Sequence, residues 1–410
     1  MRKFLRFFAY AFSFVIGAAA TFFIAATVFD MNVLGLFLTS ATKVVGVFGE
    51  KFPALHTKYG ELRIRSSSSP KGQYLEIACA SCNIDNPLLS SVPFRTQSGL
   101  LRGFMKNDHF AGEAILDQVT ANIEAEWQSY SATGSFDLKE TEIQKIYLAL
   151  KSIVPEAEQA KITGTVKGRG RFTWPHIMLQ FEPKVKDFTV SGLIDTARYK
   201  SGQFDYHAED ADGNDIVITG GEGTANWLPL KEIGPHLPAA IIAIEDRGFY
   251  NHPGFDIESI VSATHDNKRL GRLKRGGSTL TQQLAKNLFL TDEKTYARKL
   301  RELLYAVEID KELGKKRELE LYLNIVEWGP NIYGAKAACQ TYFHKLPSQL
   351  SPEEAAWLAA ILRSPKKDYE RQYKANRPNM VLVSYALRYM RSISDEERQA
   401  AMGRPILFAH

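Results

Sequence analysis

The chain has 410 residues, 45% hydrophobic and 24% charged, and 51 basic against 46 acidic side chains leave a net charge of +5. That length holds two or three domains with a sizeable core, and the composition is that of a globular protein rather than a disordered or fibrous one. The small positive balance, without a dense basic patch interleaved with aromatics, gives no sign of nucleic-acid binding.

Arg2, Lys3 and Arg6 precede an uncharged run over residues 7–29 that ends at Asp30. At about 1.5 Å per residue, a helix of that length crosses the ~30 Å hydrocarbon core of a bilayer. The run continues past the small residues Ala18, Ala19 and Ala20, so an uncleaved anchor over residues 1–30 fits better than a cleaved signal peptide. The basic residues lie before it, which places the N-terminus in the cytoplasm and the remainder outside. Residues 31–56 read as a juxtamembrane segment with an interfacial helix.

Residues 57–225 alternate polar and apolar in short runs, at 73–78, 111–119, 160–167, 177–181 and 216–219, a β-rich pattern. One helix is expected over residues 139–153, where Ile143, Ile146, Tyr147, Leu150 and Ile153 recur at helical spacing. Residues 66–70 (four serines and a proline) and 220–223 (Gly-Gly-Glu-Gly) read as loops. Cys79 and Cys82 form a CxxC that outside the cytoplasm is a disulfide or a redox pair, with a local structural pairing favoured. No neighbouring ligands complete a zinc site. Cys339, in an alanine-rich helical run, reads as a core residue.

From residue 226 the pattern turns helical, with helices expected over residues 238–246, 256–266, 278–289, 295–312, 316–326, 333–343, 351–363 and 378–393. Ser351, Pro352 and Glu354 spell a capped helix start. Glu245 and Asp246 end the apolar run 239–244. A carboxylate at the rim of a core is desolvated, which raises its pKa towards the range of a general acid or base. Taken alone, such a pair is more often two solvated acids closing a helix.

Residues 275–287 bring two glycines and hydroxyls into a helix start with Lys286 beyond, which is either an anion site or a plain cap. In residues 296–307, Ala297, Leu300, Leu303, Leu304 and Val307 make one apolar stripe. Arg298 and Glu302 lie opposite, one turn apart, either as a solvated ion pair or as the lining of a cleft.

Read in order, the runs EDRGFYNHPGFD, GGSTLTQQLAKNLFL, RKLRELLYAVEID, ELYLNIVEWG with GAKAACQTYF, and LSPEEAAWLAAILRSP resemble glycosyltransferase family 51, the peptidoglycan transglycosylases. The resemblance covers residues 226–366, about a third of the chain. Tyr342-Phe343-His344-Lys345 is similar to the monofunctional subgroup, whereas Arg363 stands where many members have glycine. The implied fold is multidomain α+β: a transmembrane helix (1–30), the juxtamembrane segment (31–56), a β-rich extracytoplasmic domain of unknown role (57–225), and an all-α lysozyme-like domain with a helical extension (226–410).

The resemblance further implies that Glu245 is the general base that deprotonates the acceptor sugar's 4-hydroxyl. Glu302 is the second acidic residue; with Lys286, Arg298 and Lys299 it surrounds the donor's diphosphate, and a divalent cation such as Mg2+ near Glu302 is left open. Ser278, Thr279, Gln282, Gln283 and Asn287 match substrate-groove positions. The reaction expected is polymerisation of lipid II into β-1,4 glycan with inversion and release of undecaprenyl diphosphate. The enzyme would sit in the bacterial cytoplasmic membrane with its domains on the periplasmic side. Its partners would be lipid II, the growing glycan, membrane lipids and other cell-wall proteins docking through residues 57–225.

His252 reads as a structural histidine. Lys268, Arg269, Arg272, Lys274 and Arg275 suit contact with anionic headgroups or substrate. A lytic muramidase-like enzyme and a non-catalytic envelope scaffold are the competing readings. Ser40, Ser81 and Lys200 begin short strings that imitate transpeptidase motifs, but such patterns arise by chance and lie on the wrong side of the transglycosylase motifs.

Overall fold

The computed structural model describes residues 54–57, 59–87, 89–128, 131–174, 178–257 and 277–409. The anchor expected over residues 1–30, the basic run at 268–275 and nearly all of the helix expected over 256–266 lie outside the described residues. Among the described residues, no helix is long and apolar enough to cross a membrane. The architecture is multidomain α+β, a large sheet followed by a helical C-terminal region.

The chain divides into two compact units. The first contains the described residues up to Leu193, with Ile257, Gly277 and the segment Glu293–Arg301. Its sheet has nine antiparallel strands in sequence order: β1 (Leu55–Thr57), β2 (Gly60–Ser69), β3 (Gly72–Ile84), β4 (Phe94–Lys106), β5 (His109–Leu116), β6 (Val119–Gln128), β7 (Ser131–Glu142), β8 (Lys161–Trp174) and β9 (Met178–Ser191). Two helices, α1 (Ile143–Ala149) and α2 (Glu156–Gln159), interrupt the meander between β7 and β8.

Alternation fixes which face is buried. On β2, Leu62, Ile64 and Ser66 point inward while Arg63 and Arg65 stay exposed. Phe94, Phe110, Ile123, Phe136, Ile146, Tyr147 and Val154 form part of this unit's core. The Tyr147 hydroxyl donates to the Leu300 carbonyl at 3.2 Å, and Arg301 Nε donates to Glu156 at 2.7 Å.

Three sequence expectations need correction in this unit. Ser66–Ser69 are strand, because β2 keeps its pairing to Gly72 and the hydroxyls are used: Gln73 Nε2 donates to Ser66 at 2.7 Å, and Ser69 donates to the Gly72 carbonyl. The run 111–119 is two strands with a reversal at Asp117, whose positive φ of 50° makes a tight turn from residues that carry no Asn-Gly or Asp-Gly signal. The helix expected from residue 139 begins only at Ile143, because Thr141 and Glu142 are still paired with β8. Cys79 and Cys82 form a disulfide. Residues three apart on a regular strand face opposite ways, and Ser81, at φ 50° between the two cysteines, departs from regular strand geometry while the register with β4 is kept.

The second unit contains residues from Ile194 to Asp256, Ser278–Asp292 and Glu302–His410. It opens with α3 (Thr196–Ser201) and the hairpin β10 (Gln203–Glu209) and β11 (Asp215–Gly221). The elements α4 (Leu230–Ile233), α5 (His236–Glu245), α6 (Leu280–Phe289) and α7 (Tyr296–Ile325) follow, with α7 starting in the first unit. After them come the small hairpin β12 (Glu327–Gly329) and β13 (Ile332–Tyr333), then α8 (Ala335–Phe343), α9 (Pro352–Ile361), α10 (Pro365–Asp368), α11 (Met380–Tyr389) and α12 (Asp395–Gly403).

All ten residues of α9 are buried, and it packs against α5 and α11 as the central helix; a helix apolar on all sides has to be enclosed in this way. Its start carries the expected capping box of Ser351 and Glu354. Gly314, at φ 73° and ψ 158°, breaks α7 into two halves, at the joint expected between residues 312 and 316. Cys339 is buried in this core, as its surroundings in the sequence suggested.

Candidate active site

Helix α5 buries Leu237, Ala240, Ile241 and Ala243 and ends on Glu245, so the apolar face that anchors the helix also delivers the carboxylate to the edge of the core. Asp246 leaves helical geometry at φ −157° and turns inward. Its Oδ2 accepts the backbone N–H of Leu280 at 2.9 Å, in the first turn of α6, and both carboxylate oxygens lie 3.0 Å from His252 Nε2. Asp246 therefore holds α5, the following loop and α6 together, and His252 is its partner, the structural role expected for it.

The start of α6 is fixed from a second direction. The Thr279 hydroxyl accepts from Gln282 N, and Thr279 N donates back to Gln282 Oε1 at 3.0 Å. This reciprocal cap satisfies two amides that the helix leaves open. The Thr279 hydroxyl also donates to the Gly254 carbonyl at 2.7 Å. Gly254 sits at φ +78°, and a Cβ there would lie 2.4 Å from the Ala306 carbonyl oxygen, so the loop after Glu245 can approach α7 this closely only with glycine. Thr279 and Gln282, expected in a substrate groove, are buried to 3% and 4% exposure and spend their polar atoms on this cap. Ser278, Gln283, Lys286 and Asn287 are more accessible.

Gln283 Nε2 donates to Glu245 Oε2 at 2.9 Å, and the Tyr322 hydroxyl donates to Gln283 Oε1 at 2.9 Å. Burial, with the Glu245 charge nearby, pushes the Tyr322 hydroxyl far up, so it stays a donor. That fixes the orientation of the Gln283 amide, with its NH2 aimed at the carboxylate. Burial raises the Glu245 carboxyl; the Gln283 hydrogen bond and the Arg363 charge oppose the rise, and the Asp246 charge adds to it. A carboxylate kept from full solvation and held by one donor is suited to accept a proton from an alcohol.

Lys286, one turn beyond Gln282 on α6, pairs with Asp292. Glu302, Arg298 and Lys299 are buried to 1%, 4% and 9% exposure, so the solvated ion pair that spacing alone allowed does not occur. Arg298 N donates to Thr295 Oγ1 at 3.2 Å, and its guanidinium donates to the Glu293 carbonyl. Among the described residues, no group of three or more His, Cys, Asp or Glu side chains could hold a metal ion.

Sequence reasoning missed Tyr322 and noted Arg363 only as a departure from the family pattern. Both act on Glu245 across the fold, and only the spacing of Tyr322 on the second half of α7 hinted at an inward face.

Residues 213–386 match the family model described as transglycosylase. Biosynthetic peptidoglycan transglycosylases from Cupriavidus metallidurans and Azoarcus sp. are each 48% identical, over 150 and 147 residues, covering 37% and 36% of this chain and 64% and 63% of theirs. The one from Nitrosospira multiformis is 49% identical over 140 residues, 34% of this chain and 61% of its own. The chain thus spans somewhat less than two thirds of the length of these curated relatives. A crystal structure of penicillin-binding protein 1A from Haemophilus influenzae aligns at 23% identity and a TM-score of 0.27, covering 51% of this chain and 21% of that one. The carboxylate on α5, the capped helix α6 and the second half of α7 all fall inside the span that matches the transglycosylase model.

Proposed function

We propose that the chain is a monofunctional peptidoglycan glycosyltransferase that polymerises lipid II into β-1,4 glycan. The observation that carries this reading is Glu245: a carboxylate at the end of a buried helix, raised by burial and held by the oriented Gln283 amide, within a domain matched to the transglycosylase family. In the proposed reaction Glu245 accepts the proton of the acceptor's 4-hydroxyl as that oxygen attacks the donor's anomeric carbon. The bond to the diphosphate breaks on the opposite face, so the configuration inverts and undecaprenyl diphosphate leaves. Lys286, Arg298 and Lys299 supply positive charge to the departing anion, Glu302 is the second acidic residue of the reaction, and Ser278, Gln283 and Asn287 line the groove. Thr279 and Gln282 support the groove by holding the start of α6.

The C-terminal domain belongs on the outer side of the bacterial cytoplasmic membrane, tethered by residues 1–30, with a lysozyme-like arrangement of its helices. Residues 57–225 offer a surface for other cell-wall proteins. Incubating the purified chain with lipid II tests the reading. Polymeric glycan with released undecaprenyl diphosphate supports it, whereas cleavage of preformed glycan, or no product, sinks it.

A further inference from the structure

Glu318 has no part in the chemistry proposed above, yet it is buried to 1% exposure in the half of α7 beyond Gly314. A carboxyl taken out of water is costly unless other groups hold it, and its partners come from separate segments. The Thr281 hydroxyl, fully buried in the first turn of α6, donates to Glu318 Oε2 at 2.5 Å. Lys315 Nζ lies 3.5 Å from the same oxygen and 4.6 Å from the centre of the Phe249 ring, in the loop that leaves Glu245. Asp310 pairs with Lys315, and its charge acts on Glu318.

One turn further along α7, Tyr322 holds Gln283 against Glu245. Glu318 and Tyr322, four residues apart, share a helix face, and they grip α6 at Thr281 and Gln283. Helix α7 therefore holds α6 by two rungs. The first is wholly buried and sets how α6 lies on α7; the second ends on the base.

We propose that Glu318 is a positioning residue for Glu245: its hydrogen bond with Thr281 seats α6 so that the Gln283 amide stays on the carboxylate. This rests on the proposed role of Glu245 as the base. The groups facing Glu318 are Lys315 and Asp310 from α7 and Thr281 from α6, with the Phe249 ring against Lys315. Those acting on Glu245 are Gln283 from α6, Tyr322 from α7, Arg363 after α9 and the adjacent Asp246. The Gln283 donor favours the ionised base, so losing the first rung makes Glu245 harder to ionise.

The test is the pH dependence of lipid II polymerisation by wild type, E318L, E318Q and T281V. In E318L and T281V the acid limb of kcat moves to higher pH by about half a unit or more, with KM changed less than about twofold. E318Q, whose amide oxygen still accepts from Thr281, keeps the wild-type limb. T281V preserves shape, so the comparison survives if E318L fails to fold. An unmoved acid limb in T281V, with loss of thermal stability alone, overturns the proposal. Titration of the Glu245 carboxyl by 13C NMR makes the same comparison without substrate. A wild-type protein that makes no polymer therefore counts against the reading of function, while an unshifted Glu245 titration in T281V counts against this inference.

Discussion

Replacing Glu318 by glutamine should make the protein's stability less sensitive to pH, and the size of the effect follows from burial. Burial raises the Glu318 carboxyl from 4.5 to about 7, against the opposing charge of Lys315 and the Thr281 hydrogen bond. In the unfolded chain the group titrates at its ordinary value, so between pH 4.5 and about 7 the folded state holds the extra proton. Stability contributed at this site is then greatest below pH 4.5 and declines as pH rises, until the full cost of ionising the buried group is reached above pH 7. At about 1.4 kcal/mol per pH unit the total is on the order of 3 kcal/mol. Glutamine keeps the acceptor for Thr281 and cannot ionise. Its stability relative to wild type should therefore improve by on the order of 3 kcal/mol between pH 5 and pH 8. Constant effects, such as a changed fit against Lys315, cancel in that comparison. Urea unfolding followed by far-UV circular dichroism at pH 5, 6, 7 and 8 measures it. A difference between the two proteins that stays flat across this range would refute the argument from burial.

Other perturbations probe neighbouring parts of the site. Arg363→Ala removes a charge that helps to ionise Glu245; because Arg363 is exposed and screened, the acid limb of the polymerisation rate should rise by only roughly a few tenths of a pH unit, and a shift to lower pH would contradict the sign of the interaction. Gly254→Ala forces a side chain into positive φ with its Cβ 2.4 Å from the Ala306 carbonyl. Strain of about 1–2 kcal/mol, together with a disturbed Thr279 cap worth about 1 kcal/mol, predicts a loss of roughly 2–3 kcal/mol in urea unfolding; a loss below about 0.5 kcal/mol would mean that the loop has room to relax.

Much of the helical unit is legible in the sequence because its signals are local. The capping residues Ser351 and Glu354, the break between residues 312 and 316, and the apolar run that carries Glu245 all report on structure within a turn or two. The sheet is legible as a pattern, but its boundaries are not. Asp117 turns the chain without a turn-forming partner, and Ser66–Ser69 look like a loop until their hydroxyls find Gln73 and Gly72. The site divides along the same line. The apolar helix that ends on Glu245 and the hydroxyl-rich helix start near Thr279 are local signals, whereas the Tyr322–Gln283–Glu245 chain and the Glu318–Thr281 rung join residues about forty apart, which no periodicity reveals. Arg298 and Glu302 show the limit most plainly: helical spacing puts them opposite the apolar stripe, yet both are buried, because that face is covered as well.

The central claim is that Glu245 is the base that activates the acceptor sugar. It is tested most directly by the rate of lipid II polymerisation by Glu245→Gln beside wild type, with circular dichroism to establish that the variant folds. Removing a general base predicts a fall in rate of about 100-fold or more at unchanged fold, and a folded Glu245→Gln protein that polymerises lipid II at the wild-type rate would contradict the account.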